Sequence, residues 1–269
     1  MRRKEAKRMR VWLRLVCLLV VTIIGSIQTN IGALLRPKIE RLAYRMRRQG
    51  VAARRACRIF NIHVKVSEDA RIALSTLRVS NHLTVMDPII LASQLDVCFA
   101  GKAEIARWPI IGWICKCYAM LLVDRRHRGK VKTFASQIRE RLQKRGSVLV
   151  FPEGTTGNGK TLLPFKTGAF ESIRDWNQGR LQPIFINVVG VNGRIIQGDE
   201  GRIAISQGSD GKHRTFIEDT LHMAGFRRLD IELRIGPFLN ISGMDRRAIS
   251  EAARGAIMAL SGNNPPCTE

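Results

Sequence analysis

The sequence predicts an α/β fold: a single domain with a mixed β-sheet flanked by helices, preceded by an N-terminal membrane-associating segment of two helices. Three observations carry that expectation. From about residue 61, short apolar runs alternate with helical stretches. The length of 269 residues suits one α/β domain plus a short appendage. The N-terminal segment joins a basic start, an apolar run and a second, strongly basic helical stretch. The expected division is 1–60 for the membrane-associating segment, 61–262 for the α/β domain and 263–269 for a frayed tail containing Pro265 and Pro266.

Hydrophobic residues make up 45% of the chain, enough for a core and against wholesale disorder. The charge is lopsided: 45 Lys and Arg against 22 Asp and Glu give +23. Such a surface favours anionic partners, whether a membrane, a phosphorylated substrate or nucleic acid. The cysteines Cys17, Cys57, Cys98, Cys115, Cys117 and Cys267 form no CxxC pair, and Cys98 and Cys115 lie in apolar runs. They read as free thiols of a reducing compartment. No His stands at ligand spacing from Cys115 and Cys117, which argues against zinc.

The chain opens with Arg2, Arg3, Lys4, Lys7, Arg8 and Arg10, and an apolar stretch follows over 11–27, broken early by Arg14. No small-residue cleavage site follows, as a signal peptide would require. The uninterrupted part from Leu15 is shorter than the ~20 residues of a span. Residues 37–60 predict a helix with a weak apolar face (Ile39, Leu42, Met46, Ala53, Cys57) amid Arg41, Arg45, Arg48, Arg54, Arg55 and Arg58. A basic amphipathic helix of this kind lies on membranes; the alternative is a helix packed on its own domain. Basic flanks on both sides of the apolar run favour a hairpin dipping into one leaflet over a single crossing, with the domain on the cytoplasmic side.

Strands are expected at 62–66, 74–79, 97–101, 120–123, 148–151, 184–189 and 229–235. Helices are expected at 131–145, closed by Gly146 at C′, and at 215–224 and 244–260. The Gly- and Asp-rich stretch 192–212 reads as a loop or hairpin.

Three stretches carry candidate chemistry. In the first, Ser80-Asn81-His82 follows a strand and Asp87-Pro88 opens a helix, with Asp87 as N-cap and Pro88 as the first helical residue. That accounts for Asp87 without any function, and a lone loop His is unremarkable. Together, His82 can act as a general base whose other nitrogen is oriented by the Asp87 carboxylate, which is what an alcohol nucleophile needs. The second is an apolar strand ending in Asp124-Arg125-Arg126, where a guanidinium fork could grip phosphate or simply be solvated. The third, Val150-Phe151-Pro152-Glu153-Gly154-Thr155-Thr156, is a strand ending in an abrupt turn, where glycine allows close approach of a ligand. Gln182-Pro183-Ile184 opens a further strand.

In order, H-x-x-x-x-D at 82–87, hydrophobic-D-R at 123–125, F-P-E-G-T at 151–155, L-x-x-F-K-x-G-A-F at 162–170 and P-I at 183–184 resemble the glycerol-phosphate and lysophospholipid acyltransferase superfamily. The resemblance covers residues 75–190. It implies that His82 takes the proton of the acceptor hydroxyl and Asp87 orients it. Arg125, Glu153, Gly154, Thr155, Thr156 and Lys166 would form the acceptor side, and Pro183 and Ile184 the acyl-donor side. It further implies direct acyl transfer from acyl-CoA or acyl carrier protein as co-substrate, without a covalent acyl-enzyme, metal or other cofactor. The acceptor it puts first is 1-acylglycerol-3-phosphate, giving phosphatidate. Lysophosphatidylcholine, lysophosphatidylethanolamine or lyso-ornithine lipid are the alternatives. Many phosphatidate-forming relatives carry Arg where Thr156 stands, which leaves the headgroup open.

Two readings from other classes compete. Residues 154–161 also satisfy the P-loop pattern G-x-x-x-x-G-K-[ST] after a strand, but Pro164 falls where a P-loop helix should begin. A basic nucleic-acid protein would need a recognition motif, and aromatics are only 6%.

Overall fold

The structure, a computed structural model, describes residues 2–67, 73–123, 129–206 and 214–262. Helices α1 (Arg2–Leu34) and α2 (Arg41–Phe60) form an antiparallel pair. Arg45 donates to Asn30 Oδ1 at 3.1 Å and Arg48 to Gln28 Oε1 at 2.6 Å, so the partners advance in opposite directions. Helix α1 is continuous over 33 residues, long and apolar enough to cross a membrane. This corrects the expectation of a short apolar run. The Thr22 and Thr29 hydroxyls donate to carbonyls four residues back, each at 2.6 Å, so these polar residues do not interrupt the helix.

The polarity of α1 is inverted relative to an ordinary surface helix. Arg14, Ser26 and Thr29 are buried, whereas Trp12, Leu13, Val16, Leu19, Val20, Ile24 and Ile27 are exposed. Arg14, the break in the apolar run, caps another helix. Its guanidinium donates to Ala224 O at 3.0 Å, to Phe226 O, and to Arg227 O at 3.4 Å, while Arg10 donates to Gly225 O at 2.9 Å. These carbonyls end helix α7 (Phe216–Gly225), where free acceptors and negative dipole favour a cation. The apolar stripe of α2 behaves differently. Leu42, Met46, Ala53, Cys57 and Phe60 are buried in the core, so this stripe packs on the domain and only its basic side remains outward. Of the predicted stripe only Ile39, before the helix begins, is exposed.

Among the described residues, eight strands form one sheet in the order β1-β8-β6-β2-β5-β3-β4, with β7 beside β6. They are β1 (Ile62–Val66), β2 (Thr76–Ser80), β3 (Cys98–Lys102), β4 (Leu121–Val123), β5 (Val148–Val150), β6 (Arg180–Val191), β7 (Arg194–Ile195) and β8 (Leu229–Ile235). Strands β6, β2, β5, β3 and β4 run parallel, and β8 is antiparallel to β6. Two apolar layers sandwich the sheet. One joins Phe99, Leu149 and Ile186 to α2, α7 and the short helix α3 (Asp87–Ala92). The other joins Leu77, Val150 and Phe185 to α5 (Gly129–Gln143) and α8 (Arg246–Ser261). Helix α4 (Pro109–Cys117) packs against α1.

Two local expectations change, and a third, the hairpin after residue 191, is borne out with a helix added to it. Strand β6 starts four residues before Ile184, because Pro183 lies where regular pairing with β8 has not yet begun and a missing N–H is tolerated. At the end of α5 the left-handed residue is Arg145 (φ 59°); Gly146 is required instead for close approach, since a Cβ there would lie 2.9 Å from the Leu42 side chain. Within 192–212, the Asn192-Gly193 turn closes the β6–β7 hairpin, and a helix, α6 (Glu200–Ser206), follows.

Replacing Arg14 should therefore destabilise the protein. Arg14→Leu removes the donors from the end of α7 and should lower stability by about 1–3 kcal/mol, read from thermal unfolding in detergent by circular dichroism. An unchanged or raised midpoint would mean that Arg14 faces the apolar phase.

Candidate active site

Strand β2 ends in the centre of the sheet, and the loop after it carries the candidate base. Asn81 fastens that loop to β6: its amide donates to Ile186 O at 3.1 Å, and its Oδ1 accepts from Ile186 N at 2.7 Å. Position 82 thus leaves the C-terminal edge of the parallel strands, where α/β sheets gather their ligands. His82 Nδ1 lies 2.8 Å from Asp87 Oδ2. The same oxygen accepts the backbone N–H of Leu83 at 2.6 Å and of Thr84 at 3.0 Å. Backbone N–H groups can only donate, so Oδ2 is an acceptor and His82 Nδ1 carries a proton; in the neutral imidazole the lone pair is then on Nε2.

Asp87 is therefore not an N-cap. It is the first residue of α3 and makes no capping bond to that helix; its fully buried carboxylate turns back onto the loop instead. The imidazole is 18% exposed and stacks on Phe151, ring centroids 4.1 Å apart.

Glu153 joins two loops. Its Oε1 accepts from His82 N and its Oε2 from Leu163 N, each at 2.9 Å. Gly157 N completes the clasp by donating to His82 O at 2.6 Å. Burial pushes the Glu153 carboxyl above its usual range, and the two N–H donors counteract this. Gly154 adopts φ 74°, the left-handed turn that lets the chain reverse after β5. Thr155 and Lys166 are exposed and Thr156 is half-buried. Pro183 and Ile184 are buried inside β6. Arg125 lies outside the described residues.

A carboxylate not singled out from the sequence holds the other side of the loop. Asp219 Oδ2, on α7, accepts Thr84 Oγ1 at 2.8 Å and Val85 N at 2.7 Å. Burial raises the pKa of this group as well. Its signal was an acid four residues before Met223 on the apolar face of a predicted helix whose Thr215–Glu218 capping box marks the start.

A cavity of about 200 Å³ opens beside this loop, lined by His82, Glu153, Leu162, Phe185, Arg202 and Arg254 among others. Its described lining does not include Gly154, Thr155, Thr156, Lys166, Pro183 or Ile184.

A family profile described as Acyltransferase matches residues 61–187, from β1 into β6. A lyso-ornithine lipid O-acyltransferase of Brucella abortus is 29% identical over 213 residues, 76% of this chain and 77% of that protein. A 1-acyl-sn-glycerol-3-phosphate acyltransferase of Helicobacter pylori is 30% identical over 147 residues, 52% of this chain and 62% of that one. The crystal structure of a 1-acyl-sn-glycerophosphate acyltransferase from Thermotoga maritima shares the fold, with TM-score 0.68 and 15% identity, covering 99% of this chain and 100% of that chain. The chain belongs to the glycerol-phosphate and lysophospholipid acyltransferase superfamily.

It is thus an O-acyltransferase. The P-loop resemblance is a loop of this acyltransferase. After Lys160 the chain runs without a helix to a 3₁₀ turn at Thr167–Ser172, and Asn158 Oδ1 accepts from Lys160 N and Thr161 N in a local turn.

The two bridging carboxylates make opposite predictions for amide substitution. Glu153 uses both oxygens, so Glu153→Gln must point an NH2 at a backbone N–H, costing about 1–3 kcal/mol and lowering kcat by displacing His82. Asp219 takes both bonds on Oδ2, while its Oδ1 lies 3.8 Å from Arg214 Nη1, so Asp219→Asn keeps the Thr84 and Val85 bonds, loses only that long ion pair, and should affect kcat less than Asp219→Ala or Glu153→Gln. Equal effects of the two amide variants on kcat and melting temperature would refute this geometry.

Proposed function

We propose that this acyltransferase moves a fatty acyl group from acyl-CoA or acyl carrier protein directly to the hydroxyl of a lysolipid, with His82 as general base and Asp87 orienting it. The observation that carries the reading is the single Asp87 oxygen that accepts from His82 Nδ1 and two backbone N–H groups. It holds one tautomer and one ring orientation, leaving Nε2 for the acceptor. In the reaction, Nε2 takes the hydroxyl proton as the oxygen attacks the thioester carbonyl. The tetrahedral intermediate collapses by breaking the C–S bond, and the departing sulfur takes the proton back from the imidazolium. The Asp87 carboxylate stabilises the cation between these steps. Arg125, Thr155, Thr156 and Lys166 remain candidates for the acceptor side, and Pro183 and Ile184 for the donor side through the packing of β6.

Among acceptors, we put lyso-ornithine lipid ahead of 1-acylglycerol-3-phosphate, the reverse of the order drawn from the motifs. Two points support this. The Brucella abortus relative, and one of Pseudomonas aeruginosa 28% identical over 222 residues, are lyso-ornithine lipid enzymes matched over more than three quarters of their length. Thr156 also lacks the charge that the motif of many phosphatidate-forming relatives carries.

The inverted polarity of α1 supports membrane association, since an exposed apolar stripe of this size needs an apolar phase. Arg10 and Arg14 fasten one part of α1 to α7, and Gln28 and Asn30 meet α2, so α1 lies along the domain. That arrangement favours insertion into one leaflet over a crossing. The basic residues on the outward side of α2 favour an anionic, cytoplasmic surface.

His82→Ala should reduce kcat by ~10²–10⁴ without loss of folding, and Asp87→Asn by less. Near-wild-type turnover by His82→Ala would end this mechanism. The acceptor order is tested by kcat/KM for lyso-ornithine lipid and 1-acylglycerol-3-phosphate with each donor, using the purified chain in detergent; a preference for the glycerophosphate would restore the original order. Salt alone should not strip the protein from anionic vesicles, whereas detergent should; full release by salt would show that α1 is not inserted.

A further inference from the structure

The cavity beside His82 contains more positive charge than the protein neutralises. Glu153 is the one acid among its described lining residues, and both of its oxygens are held by backbone N–H groups. Arg202 is 5% exposed, and its guanidinium bonds only neutral oxygens: Gly159 O at 3.0 Å, Asn187 Oδ1 at 3.0 Å and Gly198 O at 2.8 Å. Asp199 acts on it through space without forming an ion pair, and burial lowers its pKa. Arg254 reaches in from α8. Its Nη2 donates to Leu162 O at 3.0 Å, and its buried Nε has no partner. Among the described residues, neither guanidinium has a carboxylate within ion-pair distance. The remaining lining includes the apolar Leu83, Leu162, Phe185 and Met258. A buried charge such as that of Arg202 is costly without a counter-ion, and at the half-buried Arg254 a neutral donor would brace Leu162 O equally well.

We infer that this cavity is the pocket for the anionic group of the acceptor headgroup, a phosphomonoester or a carboxylate, and that Arg254 binds it while Arg202 supplies a second positive charge. This rests on the acyltransferase reading above and extends it to the acceptor site. His82, Arg202 and Arg254 line one space, which suits a molecule that carries a hydroxyl and an anion a few bonds apart. Neither arginine belongs to the motifs that carry the family resemblance. Lys160, the lysine of the P-loop lookalike, stands at the exposed rim of the same cavity.

The test is steady-state kinetics of the full chain in detergent, with 1-acylglycerol-3-phosphate and lyso-ornithine lipid as separate acceptors. Arg254→Gln keeps a donor for Leu162 O and removes the charge. It should raise KM for whichever acceptor turns over by about ten- to a hundredfold, with donor KM and kcat changed less than about twofold. Arg254→Lys should recover part of the loss. A rise in donor KM would assign the anion to the donor and overturn the inference, as would a fall in kcat with both KM values shifted, the mark of a brace alone. A second measurement needs no variant: inorganic phosphate and glycerol 3-phosphate should inhibit the wild type competitively against the acceptor and not against the donor. Absence of that competition would also overturn it. A wild type that transfers no acyl group to either lysolipid would instead sink the acceptor assignment made under the proposed function.

Discussion

One carboxylate oxygen, Asp87 Oδ2, organises the site. It accepts from a side chain five residues back and from the two backbone N–H groups between, so a short loop is wound around a single acceptor. A loop held only by water would sample many orientations of His82. Here the ring has one hydrogen-bonded nitrogen, one aromatic face on Phe151 and one free nitrogen. The other bonds act on the backbone that carries it: Asn81 on the strand side, Glu153 from the loop after β5, Asp219 from α7. Three acids from three parts of the chain thus converge on a few residues of main chain. Each lies in a setting that penalises a buried carboxylate; Glu153 receives donors on both oxygens, and Asp87 and Asp219 receive theirs on Oδ2 alone. The catalytic proposal needs this arrangement because a general base is useful only when its lone pair is aimed.

Much of this was legible in the sequence, and the failures have physical causes. Strands β1 and β8 were readable to the residue because their apolar alternation is bounded by clear breaks. The start of β6 was hidden by Pro183, whose missing N–H normally argues against a strand and here lies just before regular pairing with β8 begins. Helix α6 was hidden by the glycines and aspartates around it, and its formation depends on Arg202 and Ile205 packing inward. Local propensity could not reveal either, since tertiary pairing decides them.

The site shows the same division. The His82–Asp87 pair was legible as a spacing, but the local rule for Asp before Pro assigned the carboxylate to the wrong bond. Capping α3 would have satisfied one exposed helix end, whereas turning inward satisfies three donors at once. Glu153 was legible as a motif residue, yet its engagement by two backbone groups is a three-dimensional fact. Asp219 and Arg254 lie outside the motifs altogether, more than a hundred residues after His82. Each is an ionisable residue on a helix that otherwise packs against the core, the sort of position where a charge needs a reason.

Arg14 extends that logic to the membrane-facing helix. In the sequence it spoils an apolar run, and on the lipid-facing side of a helix it would be costly. In the fold it faces inward and supplies cationic donors to the end of α7. That same helix carries Asp219, which holds Thr84 and Val85 beside the base. Helix α7 is ten residues long, about 15 Å end to end, and transmits position between its two attachments as a short rigid rod. If α1 meets a lipid phase as proposed, its apolar stripe sets the orientation, and the α1–α7 junction fixes the loop that carries His82 relative to that stripe. A lysolipid presents its hydroxyl at a depth set by its own anchoring in the leaflet. On the proposed function, an acyltransferase that takes such a substrate must hold its base at a matching depth, and a buried arginine cap suits that need better than sliding apolar contacts alone.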